Sequence, residues 1–321
     1  MHSEERKTIM KNKFLFLKLF LTSLIVFFST LSYSDDNKII VVSTIYPVSD
    51  WVRNIGKEKI SSLTLLPPNA SPHTYEPTPI DIKQVSNAVL FVKVGLGLEL
   101  WSDKLILASG NRNLKILTLS DGLEILEIKK SDWIQQKNNP ELQNKTESQD
   151  IGYNPHFWLD PITAIKCVEK ITDKLCSLDL QNKEYYQKNA NEYKDKLLAL
   201  DKKAHQELDN IKNKNYISFH NAFTYFAKRY NLTEVAVIEE FPGKEPSPQY
   251  MKQLVNIIRQ KNVKAIFAEP QFSDKFATIL AKETGINVSI LDPIGTPYVK
   301  VRADYLSLME YNIQVIKEAL K

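Results

Sequence analysis

Between Asn182 and Lys212 the chain has neither proline nor glycine and is rich in Lys, Glu, Ala, Gln and Leu. That composition favours one long, uninterrupted helix. On either side of it, short β-branched or apolar runs alternate with helical stretches. Upstream, KIIVVST (38–44), SSLTLLPP (61–68), VLFVKVG (89–95) and LKILTLS (114–120) read as strands. The helical stretches between them are YPVSDWVRNIG (46–56), PIDIKQVSNA (79–88) and LELWSDKLILASG (98–110). Downstream, NYISF (215–219), EVAVIE (234–239), KAIFA (264–268) and NVSIL (287–291) alternate with four more helical segments. Strand–helix alternation implies a parallel sheet covered by helices. The expected fold is therefore α/β: two similar lobes, each a mainly parallel sheet flanked by helices, joined by one long rigid helix. The expected bounds are 35–181 for the first lobe, 182–213 for the helix and 214–321 for the second lobe. Residues 127–152, polar and Asn/Gln/Lys-rich, interrupt the pattern and read as a surface insertion.

The N-terminus has another character. A short basic segment from Met10 leads into the apolar run LFLTSLIVFFSTL, which has signal-peptide length and is too short for an ordinary membrane span. Ser32 and Ser34 suit cleavage after Ser34, and Met10 reads as the true start. The expected mature protein is exported, soluble and periplasmic. Of the net charge of +4, residues 1–34 supply +3, from five Lys/Arg against two Glu. The remainder has no clustered basic face for nucleic acid. Glycine is scarce, at 9 residues, which argues against phosphate-cradling loops. Cys167 and Cys176 fall nine residues apart in one expected helix, about 13 Å at 1.5 Å per residue. That is too far for a disulfide, so two free thiols are expected.

Four of the remaining side chains draw attention. His73 lies in a proline-studded loop after the second strand, and His156 sits in NPHFWLDP. His220 directly follows NYISF, and Asp292 directly follows NVSIL. Ligands of open parallel sheets bind beyond the carboxyl ends of strands. Taken singly, His220 could cap a helix, Asp292 before Pro293 could open a turn, and His156 could belong to an aromatic cluster. Taken together, three imidazoles and a carboxylate suit a tetrahedral zinc site. His205, mid-helix among charged residues, reads as solvated.

The segments STIYPVSDWVRNIG, PPNASPHTYEPTP, VGLGLELW, NPHFWLDP, SFHNAFTYFAKRYNL, KEPSPQ, IFAEPQFS and ILDPIG together resemble the metal-binding branch of ABC-transporter solute-binding proteins, in the family's order and over nearly the whole mature chain. The resemblance implies two α/β lobes with the metal in the cleft between them, no enzymatic activity, a monomer, and a membrane permease with a cytoplasmic ATPase as partner. Carried over by position, His73 and His156 are the ligands of the first lobe, and His220 and Asp292 those of the second. Some zinc-type relatives instead use three histidines with water or another carboxylate. Manganese-type members often carry Glu where this chain has His220, so Zn2+ is the expected cargo, with Mn2+ or Fe2+ as alternatives. Glu269 is expected to support the ligands from behind, and Glu76 and Asp160 to hold loops or orient histidines. The insertion lacks the histidines that zinc-type relatives often carry there. An exported zinc hydrolase would need an open coordination position and a general base; a fourth protein ligand would close that position, and no base motif is visible. Since imidazole must be neutral to coordinate, affinity is expected to fall below about pH 6.

Overall fold

The computed structural model describes residues 38–128, 152–240 and 243–321. The proposed signal segment and most of the insertion lie outside these residues. Strands β1 (Ile39–Ser43), β2 (Ile60–Thr64), β3 (Leu90–Lys93) and β4 (Lys115–Thr118) form one parallel sheet in the order β2-β1-β3-β4. Helices α1 (Tyr46–Gly56), α2 (Pro79–Ser86) and α3 (Ser102–Ser109) connect them. The stems of the insertion pair as a short antiparallel ribbon of β5 (Glu127–Ile128) and β6 (Gly152–Tyr153). A second parallel sheet comprises β7 (Asn215–Ser218), β8 (Thr233–Val237), β9 (Ala265–Ala268) and β10 (Val288–Ile290), in the order β10-β9-β7-β8. Numbered from its own first strand, this is the same order as in the first sheet. Two similar α/β halves are thus observed, although no repeat is visible in the sequence.

Local chemistry explains most element ends. Thr78 and Asp81 form a reciprocal capping box at α2, with Pro79 in the first turn. Gly110 closes α3 in the left-handed conformation. The expected helix 98–110 begins only at Ser102, because Gly95, Leu96 and Gly97 all have positive φ and turn the chain there. A Cβ on Gly95 would also lie 2.5 Å from the Ser120 hydroxyl, so only glycine fits. The tightened turn lets the buried Glu99 carboxylate accept from Thr44 Oγ1 at 2.6 Å and from the amides of Val94 and Gly95. The expected helix at 221–231 is split into a 3-10 turn (Asn221–Phe223) and the short α6 (Thr224–Arg229).

Helix α4 (Pro161–Leu178) carries both cysteines, which are buried and free. The long helix α5 (Lys183–Leu208) follows it. It is no bare strut: α1, α4 and the C-terminal helix α9 (Tyr305–Leu320) all pack along it. Asp50 lies where three of these helices meet. Its carboxylate accepts from Arg53 and Asn54 on α1, from the Tyr193 hydroxyl on α5, and from the amide of Tyr305, where an anion suits the helix N-terminus. Trp158 completes the join. Its indole donates to the carbonyl of Pro293 at 2.7 Å, and the Tyr305 hydroxyl donates to its backbone carbonyl. The described residues between 38 and 321 form one compact unit, and the largest apolar core runs through both halves. Helices α7 (Pro248–Gln260) and α8 (Lys275–Thr284) cover the second sheet and have a core of their own with it.

Glu234, on β8, is buried beneath β7 and is bonded to the hydroxyls of Ser218 and Thr224. Burial pushes its carboxyl up to about 7. The folded chain therefore holds this proton to higher pH than the unfolded chain. The resulting stability is complete below the unfolded value near 4.5 and is lost as pH rises through about 7. Glu234→Gln should remove that slope, making the variant more stable than the parent at pH 8 by up to about 3 kcal/mol at about 1.4 kcal/mol per pKa unit. Urea unfolding of both proteins at pH 5 and pH 8 checks this.

Candidate metal centre

The two sheets treat their equivalent crevices differently. In doubly wound sheets the crevice opens where strand connections reverse, here between β1 and β3 and between β7 and β9. Glu99 plugs the first, accepting from Thr44 just past β1 and from Val94 just past β3. At the second, His220 stands two residues past β7 and Glu269 directly past β9. Glu269 Oε1 lies 2.7 Å from His220 Nδ1.

His73 and His156 reach this point from elsewhere. His73 rides on the proline-rich loop after β2. Trp101 fastens that loop by donating to the carbonyl of Pro72 at 2.9 Å, and Tyr75 packs edge-on against the same indole. His156 lies in the bridge between β6 and α4. It is pinned by Asn154, whose Oδ1 accepts from the His156 amide at 2.9 Å and faces its Nδ1 at 2.8 Å. The other end of the Asn154 amide donates to the carbonyl of Asn221 and to Thr224 Oγ1, both in the second half. The Tyr225 hydroxyl donates to the Asn154 carbonyl. Asp160 caps α4 and pairs with Arg229, closing the same bridge. Although it precedes α5 in sequence, the bridge carrying His156 is thus held by the second half as well as the first.

The three imidazoles converge. His73 Nε2 and His156 Nε2 are 3.1 Å apart, His156 Nε2 and His220 Nε2 are 3.2 Å apart, and one ring nitrogen from each lies within 4.8 Å of the others. Among the described residues no other group of three or more such side chains meets this way. Their proton positions follow from the neighbours. The Asn154 oxygen must face His156, because the backbone N–H beside it is a donor, so His156 Nδ1 carries the proton. Glu269 places a proton on His220 Nδ1 by the same logic. With the rings neutral, as coordination requires, both Nε2 atoms bear lone pairs that face each other and cannot bond to each other. Only something electron-poor between them makes this arrangement favourable.

Two of the three rings resist charging. Burial, and next the nearness of His220, hold His73 down to about 3, and burial with the two neighbouring imidazoles holds His156 well below its ordinary value. Proton competition at these two rings therefore starts lower than the ordinary imidazole value near 6.5 led us to expect. The enclosed space is about 10 Å3, lined by the three histidines with Glu269, Gln271 and Trp158 among others. It admits an ion or one water and no organic molecule. Glu269 Oε2 and Gln271 Oε1 are buried there without a hydrogen-bond partner.

Asp292 does not join the cluster. Its Oδ1 accepts from Gln271 Nε2, from the amide of Ile294 and from the amide of Gly295, and its Oδ2 pairs with Arg302 at 2.7 Å. Glu269 stands behind His220 as described. Glu76 is exposed, and His205 lies on α5 beside Asp209, away from the site. Asn154, Gln271 and Arg302 were not singled out by their spacing. An Asn two residues before a histidine is a common turn signal and was the one legible hint.

Residues 41–319 match the family described as "ZnuA: Zinc-uptake complex component A periplasmic". The chain belongs to this family. It is 32% identical over 291 residues to the high-affinity zinc uptake system protein ZnuA of Bacillus subtilis (strain 168), covering 89% of each chain. It is 31% identical over 294 residues to the manganese ABC transporter substrate-binding lipoprotein PsaA of Streptococcus mitis, covering 88% of this chain and 89% of that one. A crystal structure of ZnuA superimposes with a TM-score of 0.77 at 30% identity, over 89% of this chain and all of that chain.

If Asn154 sets the imidazole tautomer, Asn154→Ala should weaken zinc binding by about 10- to 100-fold, the range typical of lost support behind a ligand. Glu269→Gln keeps an acceptor oxygen and should cost far less. Competition with a chromophoric chelator measures both.

Proposed function

We propose that this protein is an extracytoplasmic receptor that captures Zn2+ through His73, His156 and His220 and delivers it to an ABC-type membrane permease driven by a cytoplasmic ATPase. The observation that carries this reading is the convergence of Nε2 lone pairs whose Nδ1 protons are already committed elsewhere. Three neutral imidazoles satisfy Zn2+ at roughly 2.0–2.1 Å per bond, with one position left in a tetrahedron. Glu269 and Gln271 line the same cavity, and each has one oxygen, Oε2 and Oε1, without a hydrogen-bond partner that could accept from a water there. All-nitrogen donors favour zinc over manganese, which prefers oxygen.

A tetrahedral position open to water also suits catalysis, so ligand count does not separate a receptor from a hydrolase. Membership of a zinc-uptake family does. The protein is a binding protein and not an enzyme. The apolar N-terminal run supports export with cleavage after Ser34, and we take the mature chain to be a periplasmic monomer. Release follows from where the ligands sit. His73 is on the loop after β2, while His156 and His220 are tied together through Asn154 and Asn221. A small shift of the His73 loop against that pair, on docking to the permease, leaves two ligands and a weak site. With α5 packed against three helices, wide opening is not expected.

His220→Ala should lower zinc affinity by more than about 100-fold, beyond the loss of a supporting contact, with the circular dichroism spectrum unchanged. His205→Ala should bind as the parent does. Zinc binding that survives His220→Ala within a few-fold would refute the assignment.

A further inference from the structure

We infer that Arg302 sets the metal preference of this site by holding Asp292 out of the coordination sphere; this rests on the three-histidine reading above. Asp292 lies just past β10, on the same side of the second sheet as His220 and Glu269, and it is 1% exposed. Both of its oxygens are engaged by protein donors. Oδ1 takes three donors, two of them backbone amides of its own turn, and Oδ2 takes the Arg302 guanidinium at 2.7 Å. The backbone on either side is equally fixed. Asn312 on α9 accepts from the Asp292 amide and donates to its carbonyl.

Arg302 is placed for this by the loop that follows β10. The chain leaves Asp292, turns at Gly295 with positive φ, and returns so that Thr296 donates to the carbonyl of Arg302 at 3.1 Å. A Cβ on Gly295 would lie 3.1 Å from that carbonyl, so the close return depends on glycine. The guanidinium then lies against the Tyr311 ring, 5.3 Å from its centroid, and is held between that ring and the carboxylate. A planar guanidinium bound to a carboxylate and packed on an aromatic face is not replaced by a flexible donor without loss of geometry.

The consequence is chemical. A site of three imidazoles and water binds Zn2+ well and a hard, oxygen-preferring ion such as Mn2+ poorly, whereas adding a carboxylate oxygen helps the harder ion more. The residues around the carboxylate reach the site. The next two residues, Pro293 and Ile294, line the cavity, and so does Gln271, which is bonded to Oδ1. With the guanidinium gone, Oδ2 alone of the two carboxylate oxygens loses its partner.

The test compares the dissociation constants for Mn2+ and Zn2+, by chelator competition, in the parent, Arg302→Met, Arg302→Lys, and Arg302→Met combined with Asp292→Asn. Arg302→Met should lower the Mn2+/Zn2+ ratio of dissociation constants by about tenfold or more, as expected for a gained oxygen donor. Arg302→Lys should restore part of the parental ratio. Asp292→Asn in the Arg302→Met background should abolish the gain, a reversal that a merely structural role for Arg302 would not produce. An unchanged ratio in folded Arg302→Met overturns the inference. A second measurement needs no variant: in a crystal structure of the zinc-loaded chain, Asp292 should still hold Arg302, and an Asp292 oxygen bonded to zinc at about 2.0–2.2 Å overturns the inference. Failure of the parent to bind zinc at all would instead count against the three-histidine reading itself.

Discussion

Two short contacts, from Asn154 Oδ1 and Glu269 Oε1 to the Nδ1 atoms of His156 and His220, govern the chemistry of this molecule. Each commits a ring proton to the protein side and leaves the far nitrogen as the one that faces the site. Both acceptors are buried, so the commitment is not shared with solvent. The tertiary structure is arranged so that these nitrogens point at the same place. Burying uncharged rings is inexpensive compared with burying charged ones, and burial in turn keeps His73 and His156 neutral.

The fold makes this arrangement from two sheets with one strand order. Only the second sheet uses its crevice for ligands; the first fills the same place with Glu99. The asymmetry is compensated by the bridge from Asn154 to Asp160. The bridge brings His156 across, with Trp158 bonded to Pro293 and Asp160 to Arg229. The histidine cluster therefore lies where the halves share side chains, and the largest apolar core includes residues of both halves. The long helix α5 braces this join through Tyr193 and Asp50 and does not act as a free lever.

The strands, the long helix, the two free cysteines and the convergence of three histidines were legible in the sequence. Alternating periodicity and strand-end placement are local signals that survive folding. With five histidines in the chain, the three at strand ends or in rigid loops stood apart from His205 on its charged helix. The state of Asp292 was not legible. It depends on a glycine turn that brings Arg302 back over ten residues, and on Gln271 from the turn after the neighbouring strand, relations that spacing does not reveal. The same holds for Asn154, whose importance lies in reaching Asn221 and Thr224, far away in sequence. The helix start at Ser102 was misjudged because three consecutive positive φ values at Gly95–Gly97 override an apolar run that suits a helix.

Nitrogen-15 NMR of the imidazoles in the metal-free protein at pH 7 addresses the central claim most directly. The account predicts that His156 is neutral and carries its proton on Nδ1, with its Nε2 unprotonated, and that His220 carries a proton on Nδ1 against Glu269. A proton on Nε2 of His156 would contradict it.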